Sequence, residues 1–169
     1  MSDADAEAPR RAPRLHLMVG LPGAGKTTRA RAIAAATGAL RLTPDEWHVR
    51  LFGDDWGDAD PLGRAEHDRR HAAVEALMRE VAEAVLARGG DVILDFGFWS
   101  RAERDELRAW AARIGAAVRL HHEAVPLDEL LRRTAQRSAE GRADAFTISE
   151  ADLRRWAAAF EPPGPDELA

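Results

Sequence analysis

The sequence predicts an α/β fold, a parallel sheet of four to five strands with helices on both faces, and three observations carry that prediction. Short apolar runs of strand length alternate with longer segments of helical periodicity over most of the 169 residues. This order pairs strands in parallel through right-handed crossovers. A glycine-rich turn stands at the first strand-to-helix junction, so a ligand is expected at the carboxyl ends of the strands. No repeat, low-complexity tract or linker divides the chain, and its length suits one domain.

Residues 1–13 show no periodicity and are expected to form a flexible tail, with the folded domain over 14–163 and a C-terminal tail at 164–169. The apolar run 15–19 ends at a glycine and reads as a buried strand, and the alanine- and arginine-rich segment 26–37 as a helix closed by Gly38. Residues 40–43 suit a second strand, and Thr43-Pro44-Asp45 starts a short helix reaching residue 52. An acidic loop, 53–61, follows. Over 64–88 the apolar positions Val74, Leu77, Met78, Val81 and Val85 recur at steps of three and four, predicting a long amphipathic helix that stops at Gly89-Gly90.

Residues 91–95 read as the third strand. Ser100 with Glu103 is a capping-box signature for a helix whose buried stripe is Leu107, Trp110, Ala111 and Ile114, with Gly115 as its stop. A fourth strand is expected at 116–120, an arginine-rich helix at 127–139 and a polar loop at 140–146. Ser149 then caps a last helix that turns Leu153, Trp156, Ala157 and Phe160 inward, and Pro162-Pro163 ends it.

With 46% hydrophobic and 31% charged residues, the chain has the apolar content for a core and the charge to stay in solution. No run approaches the roughly 18 to 20 apolar residues of a membrane helix, and the acidic start does not read as a signal peptide, so a cytoplasmic location is expected. The absence of cysteine removes disulfides and thiolate chemistry, leaving oxygen or imidazole for any metal. A net charge of -5 argues against a tight grip on long nucleic acid. Of 24 basic residues, only Lys26 is a lysine.

That lysine lies in Gly20-Leu21-Pro22-Gly23-Ala24-Gly25-Lys26-Thr27-Thr28, which fits G-x-x-x-x-G-K-[ST] between an expected strand and an expected helix. In such a loop the backbone N–H groups curl around phosphates and the helix N-terminus adds partial positive charge. Lys26 reaches the terminal phosphates, and the Thr27 hydroxyl is placed to ligate magnesium. Asp95 ends an apolar strand, as an ordinary terminus or as the acid near that magnesium. Asp45 follows the second strand, either as a cap or as the carboxylate that takes a proton from an attacking hydroxyl.

Arg133 and Arg137 share a helix face, with Arg132, Thr134 and Arg142 nearby, and form either a solvated surface or a fork closing on a transferring phosphoryl group. His67 and His71 have the spacing of a metal pair without an evident third ligand, and a structural role suits His121 and His122. The loop Asp54-Asp55-Trp56-Gly57-Asp58 fits an acceptor contact and a surface excursion equally.

Taken together, the glycine loop, an acid after the second strand, an acid ending the third and R-x-x-x-R before the last helix resemble the kinase domain of polynucleotide kinases. More loosely, they resemble the zeta-toxin and chloramphenicol phosphotransferase group of small P-loop kinases, from about residue 15 to 162. The resemblance implies the three-layer P-loop nucleoside triphosphate hydrolase fold with a helical lid, and use of ATP with Mg2+. It implies that Asp45 is the general base, that Arg137 contacts the donor phosphates and that Arg133 supports it or touches the base.

Two positions depart from the family pattern. His48, with Arg50 close by, stands where polynucleotide kinases carry an arginine, and Phe96-Gly97-Phe98-Trp99 replaces small polar residues after Asp95. An aromatic acceptor pocket involving Asp45, His48, Arg50, Phe98 and Trp99 is thereby implied, suited to a small hydroxyl compound. The expected function is transfer of the ATP γ-phosphate to a small-molecule hydroxyl. The alternatives are a polynucleotide 5'-hydroxyl as acceptor, and an ATP-binding switch with little kinase activity.

Overall fold

The computed structural model describes residues 11–56, 60–140 and 146–168. Expectations placed on residues 1–10, on Gly57 and Asp58, and on Arg142 lie outside the described residues. The element order is β1 (Arg14–Val19), α1 (Lys26–Thr37), β2 (Leu40–Leu42), α2 (Pro44–Phe52), α3 (Pro61–Leu86), β3 (Val92–Gly97), α4 (Arg101–Arg113), β4 (Ala117–His122), α5 (Leu127–Ala139), α6 (Glu150–Ala159) and α7 (Pro165–Leu168).

Among the described residues the strands form one four-stranded sheet in the order β2-β3-β1-β4, every pairing parallel. Alternation along β1 divides the core. Leu15, Leu17 and Val19 join Leu94, Met78 of α3 and Leu107 of α4 on one face, while Met18 meets Ile93 and Ala30 of α1 on the other. A third apolar cluster seats α5 and α6 on the glycine loop through Leu21, Ala24, Leu130 and Leu153. The chain thus has the α/β P-loop fold, with helices on both faces of the sheet and a helical layer over the loop.

Several local expectations sharpen. The capping box of α4 forms, with Ser100 Oγ accepting from the Glu103 backbone N–H and Glu103 accepting from that of Ser100. The buried stripe of α3 is Val74, Met78, Ala82 and Leu86, and Leu77 and Val81 are exposed, because only the fourfold-spaced row faces the sheet. Strand β3 runs two residues past Asp95, and its register with β1 slips between Leu17 and Val19, opposite Asp95 and Phe96. A slip of this kind re-aims side chains at the end of a strand.

Within the expected tails, Arg11 pairs with Asp91 at 2.6 Å, and residues 165–168 form the short helix α7. Its Glu167 is buried against the wholly buried Arg104 of α4 through two contacts, of 2.7 and 3.1 Å. Arg104 also donates to the carbonyl oxygens of Phe98 and Glu161. The hydrogen bonds from Arg104 hold the Glu167 carboxyl down at about 2. Nothing in the local sequence pattern of either residue announces the pair.

Candidate active site

The carboxyl ends of β1, β2 and β3 open on one cavity of about 540 Å3. Its phosphate-loop side follows from three glycines with positive φ, Gly20, Gly23 and Gly25, which wrap the backbone from β1 into α1. Gly20 N–H donates to the Gly97 carbonyl at 3.0 Å, tying the loop to the end of β3. A Cβ on Gly23 would lie 3.0 Å from Thr134 Oγ1, so α5 sits directly on the loop. Helix α1 begins with no capping side chain and no acid in its first turn, leaving its N-terminal N–H groups and positive dipole end to an anion.

Lys26 curls inside this loop and donates from Nζ to the Leu21 carbonyl at 2.9 Å. Burial pushes its amine down, opposed by Asp95 and Asp45, while Arg137 adds to the fall. The four groups therefore share one electrostatic site. Arg133 lines the cavity, donating to Glu129 at 2.6 Å and to the Gly23 carbonyl at 3.4 Å, and Arg137 lines it as well.

Asp95 is the unusual group. Its side chain is almost wholly buried, and among the described residues no hydrogen bond of good geometry reaches either carboxylate oxygen, although the Thr27 hydroxyl stands close by. The nearest cation shown for it is Arg41, 3.5 Å away. Burial pushes its carboxyl up, against the pull of Thr27, Lys26 and Arg41. An acid left this way beside the Thr27 hydroxyl offers hard oxygen ligands with spare lone pairs, a donor set that fits Mg2+.

Asp45 stands in the first turn of α2, half-exposed at the cavity edge, and accepts from His71 Nε2 at 3.1 Å. His71 Nδ1 lies 3.5 Å from Glu75 Oε1. Burial alone would lower the His71 imidazole, but Asp45 and Glu75 outweigh it and the group is raised; the Glu75 carboxyl is pushed up by burial. Aromatic rings continue the lining away from the glycine loop: Trp56, Trp156 and Trp99 follow one another with ring centroids 5.6 and 5.4 Å apart, and Phe96 and Phe146 line the cavity as well.

Of the residues expected on the acceptor side, the structure brings Asp45 and Trp99 to the cavity, and His48, Arg50 and Phe98 do not line it. His48 is fully buried and pairs with Asp55 at 2.8 Å, because α2 turns that position onto α3. Phe98 is buried at φ 44° and stacks on Phe96, which takes the place at the wall.

His67 and His71 stack with ring centroids 5.7 Å apart but turn to different carboxylates, Asp55 and Asp45. His67 joins His48 on the same Asp55 oxygen at 2.6 Å, and Arg70 holds the other oxygen at 3.2 Å. His48, Asp55 and His67 are spaced as a metal's ligands could be, but direct hydrogen bonds and a guanidinium already satisfy the carboxylate. Sequence reasoning missed Glu75 and the pairing of His71 with Asp45. The only signal was the four-residue spacing that places His71 and Glu75 on one face of α3.

No described helix is long and apolar enough to cross a membrane. A shikimate kinase of Saccharopolyspora erythraea is 37% identical over 83 residues, which cover 46% of this chain and 45% of the relative, so the match spans less than half the length of that protein. A candidate kinase from Chloroflexus aurantiacus superposes with a TM-score of 0.70 at 23% identity, covering 91% of this chain and 80% of the other. A chain of the Pnkp1/Rnl/Hen1 RNA repair complex gives a TM-score of 0.65 at 22% identity, covering 94% of this chain and 46% of the other. At these identities the two structures bear on the fold, which they share. Residues 15–163 match the family described as AAA domain, nearly the whole described chain, and the protein belongs to that family.

Proposed function

We propose that the protein is an ATP-dependent kinase that moves the γ-phosphate to a hydroxyl group of a small molecule. The observation that carries this reading is the meeting of Asp45 with Lys26 and the glycine loop in one cavity whose far wall is built of tryptophan rings. A hydroxyl held at Asp45 lies beside the phosphate site. Asp45 takes the hydroxyl proton as oxygen attacks the γ-phosphorus; the new P–O bond forms while the bond to ADP breaks and ADP keeps the electron pair.

Lys26, Arg137 and the N-terminal N–H groups of α1 hold the phosphates and meet the charge that spreads over the moving group. Thr27 and Asp95 would hold Mg2+, which when bound neutralises phosphate charge. The tryptophan wall excludes water from the acceptor, which protects the phosphoryl group from hydrolysis.

A small acceptor is supported by the walled shape of the cavity and by the partial match to a shikimate kinase. The second reading, a polynucleotide 5'-hydroxyl, draws on the likeness to a chain of an RNA repair complex. The test is ADP formation across a panel of small alcohols and a 5'-hydroxyl oligonucleotide, comparing the wild type with Asp45→Asn. The expected result is turnover of a small alcohol that falls about 10²- to 10⁴-fold in the variant. Full transfer by Asp45→Asn would remove Asp45 as base, and turnover confined to the oligonucleotide would replace the small acceptor.

A further inference from the structure

The two halves of the cavity differ in charge. Its lining cations are Lys26 and Arg31 of α1 and Arg133 and Arg137 of α5, all on the phosphate side. Arg31 is moreover paired with Glu46 at 2.9 Å. Among the described residues, no lysine or arginine lines the wall contributed by α3, by the turns after α2 and β3, or by α6 and the turn before it. The arginines close to that wall are engaged behind it. Arg64 stacks on Trp56 at 4.5 Å and pairs with Asp152, and Arg70 is held by Glu66 and Asp55.

The same wall is rich in groups that attract a cation. Asp68 and Glu75 line it and Asp45 stands at its edge, with His71 between Asp45 and Glu75 and His67 committed to Asp55, so two imidazoles, one of them already paired, stand among three acids. The rings of Trp156 and Trp99, next to a Trp56 that already carries the Arg64 guanidinium, add π surface of the kind that attracts a cation. Glu75 is half-buried, and the His71 imidazole lies 3.5 Å from its carboxylate. An acceptor carrying a carboxylate would meet Asp45, Asp68 and Glu75 there with no guanidinium or ammonium among the described lining residues to pair with, and like-charge juxtaposition disfavours a ligand much as a clash does.

We infer that the acceptor is an alcohol that also carries a protonated amine, its ammonium group held between the tryptophan rings and Glu75 and its hydroxyl presented to Asp45. The inference rests on the kinase reading for the role of the hydroxyl. Recognition of the ammonium is a property of the wall and is measurable without turnover.

The experiment titrates the full chain, loaded with a non-hydrolysable ATP analogue and magnesium, with cyclohexylammonium, cyclohexanol and cyclohexanecarboxylate, following tryptophan emission. The ammonium probe is expected to bind about tenfold more tightly than the neutral ring, and the carboxylate more weakly than either. Glu75→Gln is expected to abolish the preference. Asp68→Asn, at an exposed position, is expected to reduce it, which guards against a folding defect in the first variant. Equal or tighter binding of the neutral or anionic ring, an unchanged preference in both variants, or a flat titration with the amine overturns the inference.

ADP formation is then measured with trans-2-aminocyclohexanol, 1,2-cyclohexanediol and 2-hydroxycyclohexanecarboxylate. Ammonium preference without ADP formation from any of them would sink the kinase reading and leave the wall's specificity standing. Fastest turnover of the hydroxy acid would do the reverse.

Discussion

Two buried carboxylates, Glu167 of α7 and Asp95 of β3, have opposite surroundings. Glu167 receives two contacts from Arg104 and a third hydrogen bond from the Gly164 backbone, and its carboxyl is held at about 2. Asp95 is equally hidden, has among the described residues no well-formed hydrogen bond to either oxygen beyond the nearby Thr27 hydroxyl, and is pushed up by burial. A satisfied buried charge belongs to the architecture; one left unsatisfied is stored capacity for something that binds. The difference separates the part of the molecule that holds it together from the part that acts.

The comparison breaks most visibly at Glu167. Glu167→Gln leaves the Arg104 guanidinium buried without a counter-charge, and urea denaturation should show a loss of about 3 to 5 kcal/mol. A loss below about 1 kcal/mol would mean the pair is not structural. Asp95→Asn should do the converse. ADP formation is expected to fall about 10²- to 10³-fold, while the nucleotide-free protein melts no lower than wild type at neutral pH. A clear fall in melting temperature would remove Asp95 from the binding class.

Acid titration sharpens the contrast, since the two groups act with opposite sign. The Glu167 carboxyl is lowered on folding, so its contribution is complete above its ordinary value of 4.5 and disappears as pH falls toward about 2. The Asp95 carboxyl is raised, so its cost grows as pH rises above the ordinary 3.8. Chemical denaturation across this range should therefore show Glu167→Gln flattening the acid limb. The advantage of Asp95→Asn should widen with rising pH, and parallel curves for all three proteins would contradict both assignments. The smallest effect is at the capping box, where Ser100→Ala should cost about 1 kcal/mol in the same denaturation assay.

How much of this could be read from the sequence follows from how each part is built. The glycine loop is nine consecutive residues whose meaning is local, and the ends of β2 and β3 are reached by counting strands, so Lys26, Thr27, Asp45 and Asp95 were legible. Most of the wall beyond Asp45 was not. Trp99 is reached from the run after Asp95 and Trp56 from one of two readings of its loop, but His71, Glu75 and Trp156 join them only through the packing of α3 and α6. His48 shows the same limit in reverse: the resemblance to polynucleotide kinases implied an acceptor contact, and the angle of α2 on α3 buries it against Asp55. For Arg104 and Glu167, 63 residues apart, periodicity says nothing about partnership.

Lys26 is held by the Leu21 carbonyl with its amine pushed down by burial, and it is the one lysine of the sequence. An amine-directed reagent therefore finds a single side chain to modify, and the depressed basicity leaves more of that amine unprotonated and nucleophilic near neutrality than a surface lysine would have. A nucleotide in the loop shields the same atom. Occupancy of the donor side can thus be followed by mass as protection of one peptide, in the unmodified protein and before any acceptor has been found.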